Sequence, residues 1–161
     1  MKKSNMPRIG TLAAALLCAG FGFAGTAAHA QYAIAGGLGN FDAANKEGQE
    51  AHGFEVEIHG ISSVDLYPSW CGNKYGCPRH IDIPGGVIVR YESPYIGGSY
   101  LHRTVSIPTG QGFTGQCYPG GFTYATSGCD HFGVHINYSA AARATTSSYR
   151  WLFEDAANPG T

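Results

Sequence analysis

The sequence predicts an all-β protein, an antiparallel β-sandwich of immunoglobulin-like general architecture that is stapled by disulfides. Three observations lead to this prediction. Seven to nine short segments alternate apolar and polar side chains with a period of two, which suits strands and not helices. Glycine and proline turns separate these segments, and no amphipathic helical pattern lies between them. Four cysteines follow the first thirty residues, and an even number is typical of a disulfide framework in an exported chain.

The first thirty residues have the pattern of a secretory signal peptide. A basic start with Lys2, Lys3 and Arg8 leads into an apolar run of small residues, which closes at Ala28-His29-Ala30, an A-x-A cleavage site. A membrane anchor would need about 20 uninterrupted apolar residues, whereas this run is short and rich in glycine. We therefore expect residues 1–30 to be removed, the chain to be periplasmic or secreted, and no transmembrane segment to remain after cleavage.

Residues 31–161 form the predicted mature chain, which is long enough for one domain with its own core. This part has seven basic and eleven acidic residues and a net charge of −4. Because its basic residues are not clustered, a nucleic-acid partner is not expected. The four cysteines allow three disulfide pairings. The local one, Cys71–Cys77 with Cys117–Cys129, is favoured because each pair brackets a turn-rich loop.

The first half of the mature chain contains the strand with the clearest alternation, at residues 52–60. Its apolar and polar side chains point in opposite directions; these are Phe54, Val56 and Ile58 against Glu55, Glu57 and His59. Before it, a short apolar segment broken by glycines ends in a turn at residues 45–48. After it, Val64 and Leu66 predict one more strand.

The second half continues the all-β pattern. Residues 80–83 and 86–91 flank Pro84-Gly85, a turn dipeptide, and predict a hairpin. Residues 99–107 predict a strand of mixed character, and residues 131–138 another one that places Phe132, Val134, Ile136 and Tyr138 on one face. A loose helical turn is expected around residues 140–144, and a last strand covers residues 149–153.

Three stretches carry a resemblance, with the sequences NFDAANKEGQEAHGFEVEIHGI, GCDHFGV and YRWLFEDAANPGT. They resemble a group of exported bacterial proteins of uncharacterised function, in which an early HGFE-type strand and a late GC[DE]HFGV strand recur. The resemblance covers most of the mature chain. It implies an exported single domain, and because no activity or ligand is established for the group, it implies no site residue.

Histidines suggest a metal site as one candidate chemistry. Copper or zinc could be held by side chains brought together from different strands; the candidates are His59, His102, Asp130, His131 and His135. His131 and His135 alone cannot bind one ion, since four residues along a strand separate them by roughly 13 Å. A second copper hypothesis has the signal cut after Ala28, which would leave His29 at the amino terminus. No HExxH-type pair is present, so we expect no cofactor.

Two glutamates suggest a second candidate chemistry, hydrolysis. Glu55 and Glu57 share a strand face about 6.6 Å apart by strand rise, near the separation of the carboxylates in inverting glycosidases. Alternating glutamates are more typical of the solvated side of a strand. No G-x-S-x-G nucleophile motif occurs, and the cysteines are expected to be consumed in disulfides.

Aromatic residues on glycine-rich loops suggest binding, the function that we expect. Rigid aromatic faces give a large contact area at small entropic cost and suit glycan or protein recognition. The candidates are Trp70, Tyr75, Tyr118, Phe122 and Tyr124, with Tyr67 and Tyr95 in similar positions. We predict a non-enzymatic exported module that contacts a protein or polysaccharide of the cell envelope or exterior. The alternative is a copper- or zinc-binding protein or a hydrolase that uses strand histidines.

Overall fold

A computed structural model describes residues 32–108, 110, 113, 117 and 128–160. The predicted signal peptide and three of the predicted binding aromatics, Tyr118, Phe122 and Tyr124, lie outside the described residues. Within the described part, no helix is long and apolar enough to cross a membrane.

The described residues form an all-β fold with antiparallel sheets, as the sequence predicts. Its strands are β1 (Tyr32–Gly37), β2 (Asn40–Asn45), β3 (Ala51–His59), β4 (Arg79–Ile83), β5 (Gly86–Glu92), β6 (Tyr95–Ile96), β7 (Ser99–Tyr100), β8 (Cys129–Phe132) and β9 (Thr145–Phe153). A three-stranded sheet has the order β1-β2-β8, and a four-stranded sheet has the order β4-β5-β3-β9. Strands β6 and β7 form a separate hairpin. The one α-helix described, α1 (Tyr138–Ala141), is a single turn.

An aromatic core joins the two larger sheets. Phe132 of β8 stacks on Phe54 of β3, with ring centroids 4.6 Å apart. Trp151 of β9 meets Phe54 edge to face at 4.9 Å. Two buried aromatic side chains also form hydrogen bonds between the sheets. Trp151 Nε1 donates to the Ala44 carbonyl at 3.2 Å, and the Tyr91 hydroxyl donates to the Gly133 carbonyl at 2.8 Å. The two sheets are therefore held together by both apolar burial and hydrogen bonds.

Several predicted elements are confirmed. The apolar face of β3 is buried, and the 79–92 hairpin turns at Gly85, which has the positive φ of 78° that a tight turn requires. The last strand places Tyr149, Trp151 and Phe153 against the core. Both favoured disulfides form, and the Cys117–Cys129 bond is buried in a small cluster with Ala44.

The predicted strand at Val64 and Leu66 is wrong. Residues Ser63–Asp65 form a 3-10 turn instead, and Leu66 makes only a single bridge to Ile136. The Asp65 carboxylate accepts the Ser62 backbone N–H at 3.0 Å, and the Asp65 N–H donates to the Ser62 carbonyl at 3.0 Å. Such local bonds compete with strand pairing, which explains the difference.

Two other predicted strands are shorter than expected. The strand predicted for residues 99–107 is regular only over β7, and beyond it Thr104 makes a single bridge to Ala51. The strand predicted for residues 131–138 ends at Phe132. Tyr138, expected to share the apolar face, begins α1 and is 94% exposed. It leaves the face because the Asn137 carbonyl accepts the N–H groups of Ala140 and Ala141, which starts a helical turn.

Candidate functional site

The described residues enclose an aromatic cleft with a volume of about 440 Å³. It opens where the carboxyl end of β5 meets the β6–β7 hairpin, the Cys71–Cys77 loop and the start of β4. The residues that line the cleft include three tyrosines and three charged residues: Tyr75, Tyr95, Tyr100, Arg79, Arg90 and Glu92. This volume lies in the range of pockets that hold small ligands.

The β6–β7 hairpin presents two of the tyrosines. Its turn residues, Gly97 and Gly98, have φ values of 62° and 87°, and two positive φ angles in a two-residue turn match the twist of the flanking strands. Tyr95 and Tyr100 consequently face each other across the hairpin. Their rings meet edge to face, with centroids 5.0 Å apart. Tyr95 is partly exposed, whereas Tyr100 is buried.

Tyr75 reaches the cleft from the disulfide loop. Its backbone N–H donates to the Asn73 side-chain oxygen at 2.9 Å, which fixes the turn between the two cysteines. The ring is buried parallel to Phe132, and its hydroxyl lies 2.5 Å from Thr104 Oγ1. Burial raises the pKa of the Tyr75 hydroxyl. Tyr75, predicted as a loop contact, is therefore part of the core and contributes only one edge to the cleft.

A buried histidine supports the cleft from below. The His52 ring stacks on Tyr100 with centroids 3.7 Å apart, and its Nδ1 atom lies 3.9 Å from the Glu92 carboxylate. Within the described residues, the Tyr100 hydroxyl has no hydrogen-bond partner. Burial lowers the pKa of His52, against smaller opposing effects of the Phe153 backbone and Glu92. Burial, and then the Glu92 charge, raises the pKa of Tyr100. His52 and Tyr100 are consequently neutral at pH 7. The Glu92 carboxylate therefore forms its ion pair with Arg79.

Arginines from three strands lie in one row across the outer face of the four-stranded sheet. We call Arg79, Arg90 and Arg150 the arginine row; the register places Arg79 opposite Arg90, Arg90 opposite Glu55, and Glu55 opposite Arg150. Glu55 accepts the Nε–H of Arg90 on one carboxylate oxygen and that of Arg150 on the other. The prediction that Glu55 lies on the solvated side of its strand is wrong, because the two arginines cover it and it is only 1% exposed.

The predicted metal ligands lie apart. His59 pairs with Glu57 at 2.7 Å at the end of β3, in the four-stranded sheet. His131 pairs with Asp42 at 2.7 Å on β8, in the three-stranded sheet. His102 follows β7 and His135 is exposed. Over the residues that the structure describes, no three His, Cys, Asp or Glu side chains are grouped as metal ligands.

Two other predicted site residues lie near His131 and outside the lining of the cleft. Trp70, a predicted binding aromatic, meets the His131 ring edge to face at 4.9 Å. Asp130 alternates with His131 along β8, is fully buried and accepts the His131 backbone N–H at 2.8 Å. Burial raises the pKa of Asp130 to about 7, against the opposing charge of Lys74. This carboxyl is buried, and among the residues that the structure describes it belongs to no group of metal ligands.

Most residues of the cleft were not predicted as site residues. A signal for the tyrosine pair exists in the sequence, because Gly97-Gly98 between two short apolar segments is a two-residue hairpin motif that sets Tyr95 opposite Tyr100. The Pro84-Gly85 hairpin likewise sets Arg79 opposite Arg90. The burial of Glu55 has no such signal, since it depends on Arg150, which is 95 residues away.

Comparison with known proteins adds no family to this description. No protein-family model, no curated protein and no solved structure matches the chain. The function is therefore inferred from the geometry of the cleft and of the arginine row.

Proposed function

We propose that this protein is a non-enzymatic binding module that recognises a glycan in the aromatic cleft. The observation that carries the proposal is the pairing of Tyr95 and Tyr100 at a cleft that also contains arginine and carboxylate side chains. Sugar rings have apolar C–H faces that pack on aromatic rings, and tyrosine gives this contact at small entropic cost. Arginine donates and glutamate accepts hydrogen bonds, so that together they match hydroxyl groups, which do both.

The remaining parts of the proposal concern architecture and location. We propose that the two packed sheets are a sandwich of immunoglobulin-like general architecture and that residues 1–30 direct export to the periplasm or the exterior. The two disulfides support this location, since such bonds persist in oxidising compartments. Membership of the exported group that the HGFE and GCDHFGV motifs resemble remains part of the same proposal.

A partner protein is the second candidate ligand. Ile96 of β6 and Leu101, which directly follows β7, are largely exposed, and exposed apolar side chains next to a cleft are typical of protein interaction sites. The two candidates differ in what they would contact. A glycan would contact the exposed part of the Tyr95 ring inside the cleft, whereas a protein would also cover Ile96 and Leu101.

A glycan array probed with the purified protein tests the proposal. We expect Tyr95→Ala to abolish the signal, because it removes the exposed ring of the tyrosine pair while β6 remains at the surface. Tyr138→Ala is the matched control, since Tyr138 is an exposed tyrosine outside the cleft lining and its loss should leave the signal unchanged. Equal signals from the wild type and Tyr95→Ala would contradict glycan binding in this cleft. The second candidate would be favoured if no glycan on the array bound and if the protein captured a partner protein that the Ile96→Asp variant did not capture.

A further inference from the structure

The arginine row continues from the aromatic cleft onto the open face of the four-stranded sheet. Arg79 and Arg90 line the cleft, and Arg150 lies on β9, on the far side of β3. Since neighbouring strands are about 4.8 Å apart, the backbones of Arg90 and Arg150 are separated by about 10 Å. A ligand seated in the cleft could therefore reach all three guanidinium groups by extending across the strands.

Glu55 holds two of these guanidinium groups by one edge. Arg90 and Arg150 each use Nε–H toward the Glu55 carboxylate. Within the described residues, neither uses its terminal nitrogens in a hydrogen bond, and Arg150 is 49% exposed. A guanidinium group has five N–H donors, so four on each arginine remain for another acceptor. The buried carboxylate fixes the orientation of both arginines before any ligand binds, which reduces the entropy lost on binding.

The charge of the row is positive, although the predicted mature chain is acidic. Three arginines, together with Glu55 and with Glu92, the ion-pair partner of Arg79, give the row and its carboxylates a formal charge of +1. Glu57, another carboxylate on the same face, is paired with His59. The row therefore offers a local positive charge and fork-shaped donors, the combination that binds carboxylate, sulfate or phosphate oxygens best.

From this arrangement we infer that the ligand is an acidic glycan, with a carboxylate or sulfate group bound by Arg90 and Arg150 while a neighbouring sugar ring packs on Tyr95, whose ring the buried Tyr100 supports. This inference rests on the proposed function, because it assigns the chemical class of the same ligand. Charge complementarity favours an acidic glycan over a neutral one, and continuity with the aromatic cleft favours a sugar chain over a free anion.

Affinity electrophoresis tests the inference with two matched polymer pairs. The disulfide-intact protein is run through gels that contain polygalacturonate or its carboxyl-reduced neutral form, and dextran sulfate or dextran. We expect an acidic polymer to bind at least about tenfold more tightly than its neutral form, because hydrogen bonds to charged groups are the strong ones. Binding should weaken between 50 mM and 500 mM salt. Preference for polygalacturonate would identify a carboxylate, and preference for dextran sulfate would identify a sulfate.

Variants of Arg150 separate specific contacts from general charge. Arg150→Gln should remove the preference for the acidic polymer, and Arg150→Lys, which keeps a charge beside Glu55 but loses the fork, should give an intermediate affinity. Arg143→Gln is the control: Arg143 is also an exposed arginine with one carboxylate partner, Asp65 at 3.2 Å, and it lies outside the row. Arg143→Gln also corrects for the change in mobility that the loss of one charge produces.

The outcomes distinguish failure of the inference from failure of the proposed function. Equal binding of neutral and acidic polymers, unchanged in Arg150→Gln, would overturn the inference and support glycan binding. An equal loss in Arg143→Gln and Arg150→Gln would overturn the inference, since general charge would then explain the binding. No binding of any of the four polymers would overturn both.

Discussion

Asp130 provides the sharpest prediction, because its side chain is buried without a full set of partners. One carboxylate oxygen accepts the His131 N–H at 2.8 Å, whereas Oδ2 has no hydrogen-bond partner within the described residues. Burial raises the pKa of this group from 3.8 to about 7; Lys74 opposes the rise and Asp42 adds to it. The folded state therefore binds this proton more tightly than the unfolded state does.

The direction of the pH dependence follows from this difference. Because the folded pKa is raised, the contribution of Asp130 to stability is fully present below about pH 4 and is lost as the pH rises through about 7. A pKa that moves from 3.8 to about 7 corresponds to about 4 kcal/mol of unfolding free energy. Asp130→Asn keeps the shape and stays neutral at every pH. We expect the unfolding free energy of the variant, relative to that of the wild type, to rise by about 4 kcal/mol from pH 4 to pH 8.

Urea unfolding followed by tryptophan fluorescence measures this effect at several pH values from 4 to 8. The comparison between the two proteins cancels other titrations, including that of His52, whose pKa burial lowers. If the unfolding free energies of Asp130→Asn and the wild type differ by the same amount at every pH from 4 to 8, the argument that burial keeps Asp130 protonated is refuted. A difference of the opposite sign would mean that Lys74 stabilises the carboxylate more than burial destabilises it.

Three further predictions concern stability. Glu55→Ala should lower the unfolding free energy by about 3 kcal/mol in urea denaturation, because two arginines lose their shared carboxylate; no change would mean that water replaces it. Phe132→Ala should lower the unfolding free energy by about 3–5 kcal/mol. Tyr138→Ala should change it by less than about 0.5 kcal/mol, because Tyr138 is exposed. Cys117→Ser with Cys129→Ser should cost about 3 kcal/mol in the chain-entropy model, and a melting temperature unaffected by the double variant would contradict this.

Features set by local patterns could be predicted from the sequence. The period-two face of β3, the 79–92 hairpin and the two short-range disulfides each depend on residues close together in the chain. Local patterns give a wrong prediction where hydrogen bonds set the backbone conformation. At Asp65, the bonds to Ser62 form a 3-10 turn in place of the predicted strand.

The candidate site could be predicted only in part, because it depends on pairings between distant segments. The predicted loop aromatics include Tyr75 and Tyr95, which line the cleft, although Tyr75 is buried in the core. Trp70 packs on His131 instead, and Tyr118, Phe122 and Tyr124 lie outside the described residues. The stacking of His52 on Tyr100 and the covering of Glu55 by Arg150 leave no periodic pattern in the sequence, since the two sides of each contact are far apart.

The position of β3 between β5 and β9 has a consequence for the order of folding. During synthesis β3 and β5 emerge early, but β9, the last strand described, is made about 95 residues after its partner. Until then β3 has an unpaired edge, and Phe54 lacks Trp151 above it. A chain with such a long-range closing contact is expected to fold slowly and to complete its core only after synthesis of β9. Deleting β9 should therefore prevent folding of the whole domain and not merely shorten it.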